Sequence, residues 1–147
     1  MATIHASAVL IGARAVLIRG PAGSGKSQLA LALLEAEHRA RLPFVRLVAD
    51  DRVQLEAEHG RLLVRSVPAL AGLIEVRGLG VRRVPYEALA VVGLLIDLGE
   101  AAVDRLPEPA DLQAEIAGIR LPRLAVAQGH DPLVVILANL GTFLGPE

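Results

Sequence analysis

The sequence contains no cysteine and no tryptophan, and aromatic residues make up only 2% of its 147 residues. The absence of cysteine excludes disulfides, thiolate metal sites and cysteine nucleophiles, although it says little about the cellular compartment. The scarcity of aromatic side chains argues against a stacking platform for single-stranded nucleic acid. The formal net charge is −1, so the composition shows no generally basic face. We therefore expect no nucleic-acid partner.

Targeting and membrane-spanning signals are also missing from the sequence. The N-terminal residues lack the charged-then-apolar layout of a signal peptide, and no apolar run reaches the ~20 residues of a membrane span. We therefore expect a cytoplasmic protein with no membrane partner. The length predicts a single domain over residues 1–147. Hydrophobic residues, mostly Ala, Val, Leu and Ile, make up 53% of the chain, which favours a β-branched sheet packed on Ala/Leu helices in an α/β fold.

Lysine occurs only once, at Lys26, and arginines supply the rest of the Lys+Arg total. This lysine lies in the loop 20–27, which reads Gly20-Pro21-Ala22-Gly23-Ser24-Gly25-Lys26-Ser27. An apolar run at 15–18 precedes the loop and an Ala/Leu-rich helical run at 28–34 follows it. The loop has the pattern G-x-x-x-x-G-K-[ST], known as Walker A or the P-loop. A chance match around one lysine has a probability on the order of 4 in 10,000.

Such a loop predicts a nucleotide site. Its glycines let successive backbone N–H groups point at phosphate oxygens, and the following helix adds its positive N-terminal end. We expect Lys26 to contact the β- and γ-phosphates and the Ser27 hydroxyl to bind Mg²⁺. The alternative is a glycine-rich turn that only caps a helix.

Two acidic residues, Asp50 and Asp51, follow a predicted strand at 44–49. The carboxyl edge of the sheet is where a P-loop fold places its metal-linked or base carboxylates. Adjacent residues of a strand point to opposite sides, so we expect at most one of the two to face the phosphates directly. A polar turn after the strand is the alternative interpretation.

A second unusual segment spans residues 73–81, Leu-Ile-Glu-Val-Arg-Gly-Leu-Gly-Val. Glu75 and Arg77 are predicted to project from one side of an extended segment. They indicate either a structural ion pair or a Mg²⁺ ligand, Glu75, beside Ser27. His5, at the start of the first predicted strand, is by its pattern alone an ordinary residue.

The remaining pattern predicts ordinary α/β elements. The predictions are a hairpin of 4–11 with 15–19, a helix from Lys26 to about Arg39, a hairpin of 53–55 with 61–65, a connector at 68–72, a buried strand Leu89–Ile96 ending in Asp97, a polar loop at 99–109, a strand at 119–126 broken by Pro122, and a closing helix at 131–144.

Taken together, His5, the loop GPAGSGKS, the run LVADD and the segment LIEVRGLGV resemble the catalytic domain of bacterial HPr kinase/phosphorylase. The similarity covers roughly residues 5–105. It implies a P-loop domain of the phosphoenolpyruvate-carboxykinase-like type, with a mixed β-sheet flanked by helices. It also implies an ATP-dependent kinase that phosphorylates a serine of HPr, the phosphocarrier of the sugar phosphotransferase system, and reverses this with inorganic phosphate, releasing pyrophosphate.

The resemblance also implies roles for individual residues. Residues 20–27 hold the phosphates, and Mg²⁺ is served by Ser27 and Glu75, with Asp50 as a further candidate ligand. Asp51 takes the serine proton in the kinase direction and returns it in phosphorolysis. His5 and Lys26 lie in the active site. Arg105, in a short Asp-Arg-Leu run, stabilises the charge of the transferred phosphoryl group.

This sequence also departs from the family pattern. Long members carry an N-terminal domain and further C-terminal helices that dock HPr and build a hexamer, and the sequence resembles the short alphaproteobacterial form. The usual Gly/Ala loop after the signature is replaced by residues 82–87, Arg-Arg-Val-Pro-Tyr-Glu. Phosphorolysis, allosteric control and a homo-oligomer therefore stay open. Two other functions also stay open: a kinase of the same fold with another protein or small-molecule substrate, and a non-catalytic nucleotide sensor.

Overall fold

The computed structural model describes residues 2–39, 42–100 and 106–141. The strands are β1 (Ala2–Ile4), β2 (Ser7–Ile11), β3 (Arg14–Arg19), β4 (Val45–Ala49), β5 (Val53–Glu58), β6 (Arg61–Ser66), β7 (Leu73–Val76), β8 (Gly80–Arg83), β9 (Leu89–Glu100), β10 (Gln113–Ile116) and β11 (Ile119–Ala127). The helices are α1 (Lys26–Arg39) and α2 (Pro132–Gly141), with short 3-10 turns at Pro68–Leu70 and Pro109–Leu112.

Nine of these strands form one mixed sheet, and β7 and β8 form a separate hairpin. The main order is β1-β5-β6-β9-β3-β2-β4, and β11 pairs with both β9 and β10. The pairs β3–β9 and β9–β11 are parallel, whereas the other pairs of the sheet are antiparallel. Since β3 and β11 both pair with residues 95–97 of β9, they flank it on opposite sides. The carboxyl ends of these three strands therefore lie at one edge of the sheet.

The core has two layers because the buried residues of the central strands point to both faces. One layer lies under the two helices and includes Ile18, Ile96, Leu33 of α1 and Ile136 of α2. The other layer is built by strand residues such as Leu17. The helices thus hold the strands from one side, and the chain's aliphatic composition supplies both layers.

The structure agrees with most predicted elements, including helix α1, the β2–β3 and β5–β6 hairpins and strand β4. The predicted first strand at 4–11 is wrong in one respect, because it breaks at His5 and Ala6 into β1 and β2. The two pieces pair with different partners, β1 with β5 and β2 with β3 and β4. His5 therefore lies in the break rather than within a strand.

Two predictions about the second half of the chain are wrong. Asp97 does not end its strand, because β9 continues to Glu100 and the carboxylate is ion-paired within the sheet. Pro122 does not break β11. Pairing with β9 begins only at Arg123, so the N–H that Pro122 lacks interrupts no hydrogen bond to β9. The hairpin of β10 with β11 was not predicted from the sequence.

Two further predictions reach beyond the described residues. The end of the predicted closing helix, 142–144, and the Asp104-Arg105 pair lie outside them. Within the described ranges, neither helix has the length and apolar character needed to cross a membrane.

Candidate active site

The loop between β3 and α1 has the shape of a phosphate cradle. Gly23 and Gly25 adopt left-handed backbone angles, with φ of 81° and 98°, which glycine accepts without steric cost. Helix α1 begins at Lys26, directly after the loop. The Lys26 ammonium folds back over the loop, where Nζ donates to the carbonyl oxygens of Gly20 at 2.8 Å and Pro21 at 3.3 Å. The loop therefore joins backbone donors, a helix N-terminus and a cation in one place.

Asp50 is buried beneath this loop, and its carboxylate accepts three hydrogen bonds. Its Oδ1 accepts hydrogen bonds from the Ser27 hydroxyl at 2.7 Å and the Ser7 hydroxyl at 2.8 Å. Its Oδ2 accepts from the Glu75 amide at 3.3 Å. Three segments, at the start of β2, the start of α1 and β7, are thus tied to one carboxylate that is 7% exposed.

Asp51 has a different environment, although it is the next residue. Its backbone is left-handed, with φ of 70°, which is uncommon outside glycine and costs energy. Its amide donates to the Ser7 hydroxyl at 3.3 Å and its carbonyl accepts from the Ala6 amide. The side chain is 69% exposed, and its Oδ1 lies 3.8 Å from His5 Nδ1. Asp50 thus faces inward as a structural anchor, and Asp51 faces the solvent.

A cavity of about 320 Å³ lies beside the loop, and we call it the Asp51 cavity. Its lining residues are Ala22, Gly23, Gly25, Lys26, Ser27, Gln28, Asp51, Glu75 and Arg77. Two cations and two carboxylates therefore face one space, and His5 lies next to Asp51. The structure brings together all the predicted site residues except Arg105, which lies outside the described residues.

Two residues of this region were not predicted to belong to the site. Ser7 is fully buried and hydrogen-bonds both aspartates through Asp50 Oδ1 and the Asp51 amide. The one signal in the sequence that could have pointed to Ser7 is that serine and threonine are few. Arg77 lines the cavity, and it lies in the turn after β7 rather than on the strand. It makes no ion pair with Glu75, so of the two interpretations offered for these residues the structural ion pair is wrong.

The β7–β8 hairpin forms one border of the Asp51 cavity. In the antiparallel register Glu75 lies opposite Val81, so both project from the same face. Val81 is 64% exposed and Leu79, in the connecting turn, is 61% exposed. An apolar surface therefore lies next to the open side of the cavity.

A second buried carboxylate, Asp97, lies near the carboxyl end of β9. Its oxygens accept hydrogen bonds from Arg19 at 2.8 and 3.0 Å and from Arg123 at 2.5 Å. Burial by itself raises the pKa of Asp97, but the hydrogen bonds and positive charges of the two arginines outweigh it. The pKa of Asp97 therefore lies below its ordinary value of 3.8. This cluster joins the three parallel strands just below the loop.

The oxygen donors beside the loop are of the kind that Mg²⁺ binds. Within the part of the chain that the structure describes, no group of three or more His, Cys, Asp or Glu forms a metal cage. Mg²⁺ at nucleotide sites commonly takes one or two carboxylates, and phosphate oxygens and waters complete its shell. The Ser27 hydroxyl, Asp50 and Glu75 offer hard oxygen ligands of this kind beside the loop, so the residues fit a nucleotide-bound Mg²⁺.

Comparisons with known proteins agree with this geometry. The family described as HPr serine kinase C-terminal domain matches residues 1–140. The HPr kinase/phosphorylase of Streptococcus gordonii is 37% identical over 160 aligned positions, which cover 99% of this chain and 49% of that protein. The enzyme of the same name from Streptococcus thermophilus is 36% identical over 150 positions, covering 92% of this chain and 46% of that protein. The chain thus spans about half the length of these curated relatives.

A solved structure is similar across nearly the whole chain. The HPr(Ser) kinase/phosphatase from Coxiella burnetii superposes with a TM-score of 0.76 at 25% sequence identity. The match covers 96% of this chain and 95% of that one. The predicted P-loop fold of the phosphoenolpyruvate-carboxykinase-like type, with a mixed sheet flanked by helices, is confirmed.

Proposed function

Since the chain belongs to the family of HPr serine kinase C-terminal domains, we propose that it is an ATP-dependent protein kinase that phosphorylates a serine of an HPr-type phosphocarrier protein. One observation supports this most directly: the Asp51 cavity joins a phosphate cradle, Lys26 and an exposed carboxylate in one open space. A phosphoryl acceptor therefore has access to both the phosphate site and a base. We place the protein in the cytoplasm, where ATP is the phosphate donor.

The phosphate site of this proposal is the loop 20–27. Its backbone N–H groups and Lys26 bind the phosphates of ATP, which displace the carbonyl contacts of the ammonium. Ser27, Asp50 and Glu75 hold Mg²⁺, which when bound neutralises charge on the phosphates. Phosphoryl transfer asks the protein mainly for positioning and charge stabilisation. The rigid attachment of Ser27 to Asp50 serves that positioning.

Asp51 is the general base in this proposal. In the kinase direction the substrate serine Oγ attacks the γ-phosphorus, a new O–P bond forms and the bond to the bridging oxygen of ADP breaks. Asp51 accepts the proton that the serine hydroxyl loses. His5 lies beside this carboxylate, with its Nδ1 3.8 Å from Asp51 Oδ1. Arg105 stabilises the charge on the transferred group, a role that rests on the family resemblance alone.

The same groups support the reverse reaction with inorganic phosphate. An oxygen of hydrogen phosphate then attacks the phosphorus of phosphoserine, a new P–O–P bond forms, the serine O–P bond breaks and pyrophosphate is released. Asp51, when protonated, donates its proton to the departing serine oxygen and takes up the proton that the attacking hydrogen phosphate loses. The direction then follows the relative concentrations of ATP, phosphate and pyrophosphate.

Incubation of the purified chain with MgATP and an HPr-type phosphocarrier tests the proposal. Mass spectrometry should detect phosphoserine on the carrier, and phosphate added to the phosphorylated carrier tests the reverse direction by the release of pyrophosphate. The Asp51→Asn variant is the control and should lower transfer about 10²- to 10⁴-fold, which is the usual contribution of a general base. ATP binding without transfer to the carrier would contradict the substrate assignment and favour another substrate or a nucleotide sensor.

A further inference from the structure

A second cavity, of about 190 Å³, lies on the other side of the loop from Asp51. Its walls are residues 21–24 of the loop, 98–99 near the end of β9, 126–127 at the end of β11, and 128–130 and 132 after that strand. We call it the Gly99 cavity. It lies at the carboxyl ends of the three parallel strands, which is where open α/β sheets bind their ligands. The proposed kinase chemistry uses none of the residues from β9 or β11 that line it.

The sheet order separates this cavity from the Asp51 cavity. β9 and β11 lie on one side of β3, and β2 and β4 lie on the other. Because the loop follows β3, it lies between the two cavities, which share Ala22 and Gly23. ATP is an elongated molecule with its triphosphate at one end. If its γ-phosphate lies beside Asp51, its other end emerges from the loop toward β9 and β11.

The Gly99 cavity is lined by both apolar and polar groups, which is the combination that a nucleoside site requires. Leu98 and Val126 are buried and form an apolar floor. Gln128 and His130 offer an amide and an imidazole at the exposed rim. The Ser24 hydroxyl oxygen is buried and has no hydrogen-bond partner among the described residues. An apolar floor accepts the flat face of a base, and polar groups at its border match a base edge and ribose hydroxyls.

Gly99 brings the end of β9 close to the loop. Its φ is 75°, and a Cβ at this position would lie 3.3 Å from Pro21 Cδ and 3.6 Å from Ser24 Cβ. A side chain here would therefore both strain the backbone and push β9 away from the loop. The close approach makes one continuous surface from the phosphate cradle to the cavity.

We propose that the Gly99 cavity is the nucleoside subsite of the enzyme, which binds the base and ribose of ATP while the loop holds the phosphates. The inference rests on the proposed function, because it takes ATP to be the ligand of the loop. In this assignment residues 20–27 bind the triphosphate of ATP, and residues from β9 and β11 bind its nucleoside.

The Ala127→Leu variant, with two ligands, tests this assignment. Ala127 is a half-buried residue of the cavity wall, so the larger side chain fills the subsite. The matched control is Ala125→Leu, an exposed residue two positions earlier on β11 that does not line the cavity. Calorimetry with Mg²⁺ should show at least tenfold weaker ATP binding for Ala127→Leu but tripolyphosphate binding within twofold of wild type. Ala125→Leu should leave both affinities unchanged.

Other outcomes would overturn the inference in distinguishable ways. Unchanged ATP affinity in Ala127→Leu would place the nucleoside elsewhere, and equal weakening of both ligands would show that the cavity is no separate subsite. A wild-type chain that binds neither ligand would overturn the proposed function as well. If Ala127→Leu fails to fold, Gln128→Ala replaces it, with severalfold weaker ATP binding expected. Hydrogen exchange of wild type should show protection of 127–130 by ATP and none by tripolyphosphate.

Discussion

Replacement of Ser7 by alanine tests whether the two aspartates work as one structural unit. Ser7 is fully buried, donates to Asp50 Oδ1 at 2.8 Å and accepts from the Asp51 amide at 3.3 Å. Alanine fits the space but removes both hydrogen bonds. Asp50 keeps its contacts with the Ser27 hydroxyl and the Glu75 amide, so the carboxylate stays partly satisfied.

The expected size of the effect follows from these contacts. A hydrogen bond to a charged group contributes about 1.5–3 kcal/mol. Because Asp50 keeps its two other partners, we expect Ser7→Ala to lower the free energy of unfolding by about 2 kcal/mol. The catalytic effect comes from the backbone of Asp51, which is held in a left-handed conformation beside the lost acceptor. Displacement of a positioned group by about 1 Å costs about 10²-fold, so we expect kcat to fall about 10- to 100-fold.

Two measurements and one control check this expectation. Urea unfolding reports the stability loss, and steady-state phosphorylation of the carrier separates kcat from KM for ATP. Ser66→Ala is the control, because Ser66 is a buried strand serine that makes no hydrogen bond to either aspartate. In a double-mutant cycle with Asp50→Ala, the stability losses should not add, because both variants break the hydrogen bond between Ser7 and Asp50. A Ser7→Ala variant with kcat within twofold of wild type and stability within about 0.5 kcal/mol would refute the reasoning.

Three further predictions follow from the same structure. Lys26→Ala should lower phosphoryl transfer about 10²- to 10³-fold with an unchanged circular dichroism spectrum, since among the described residues its ammonium hydrogen-bonds to loop carbonyls alone; unfolding would contradict this. Asp97→Ala should lower the unfolding free energy by about 3 kcal/mol near pH 7, because two arginines lose their carboxylate. The pKa of Asp97 is lower in the folded protein than its unfolded value near 3.8, so the carboxylate stabilises the fold above that pH and its stabilisation disappears as the pH falls through the folded pKa. An equal loss of unfolding free energy in Asp97→Ala at pH 3 and pH 7 would contradict this. Val81→Asp should raise KM for the carrier about tenfold and leave ATP affinity unchanged, whereas Val134→Asp, at an equally exposed valine on α2, should change neither.

Much of the fold was predictable because its signals are local. Helix α1 and strands β3 and β4, which precede and follow the loop and helix, follow from short apolar periods and a glycine motif. The predictions that were wrong share a different cause. The break at His5 arises from a switch of pairing partner, and the uninterrupted β9 and β11 depend on where Asp97 and Pro122 lie relative to neighbouring strands. Such pairing is a long-range property, and no local pattern encodes it.

The sequence by itself determined the phosphate loop, the family and the identity of the acidic residues, because each depends on residue types at short, specific spacings. Only the tertiary structure decided how those residues divide their work. Asp50 and Asp51 are neighbours in the chain, yet burial and Ser7 make one an anchor while a left-handed backbone turns the other outward. The Gly99 cavity likewise exists only because β9 and β11 lie parallel to β3, which places three distant segments at one edge of the sheet.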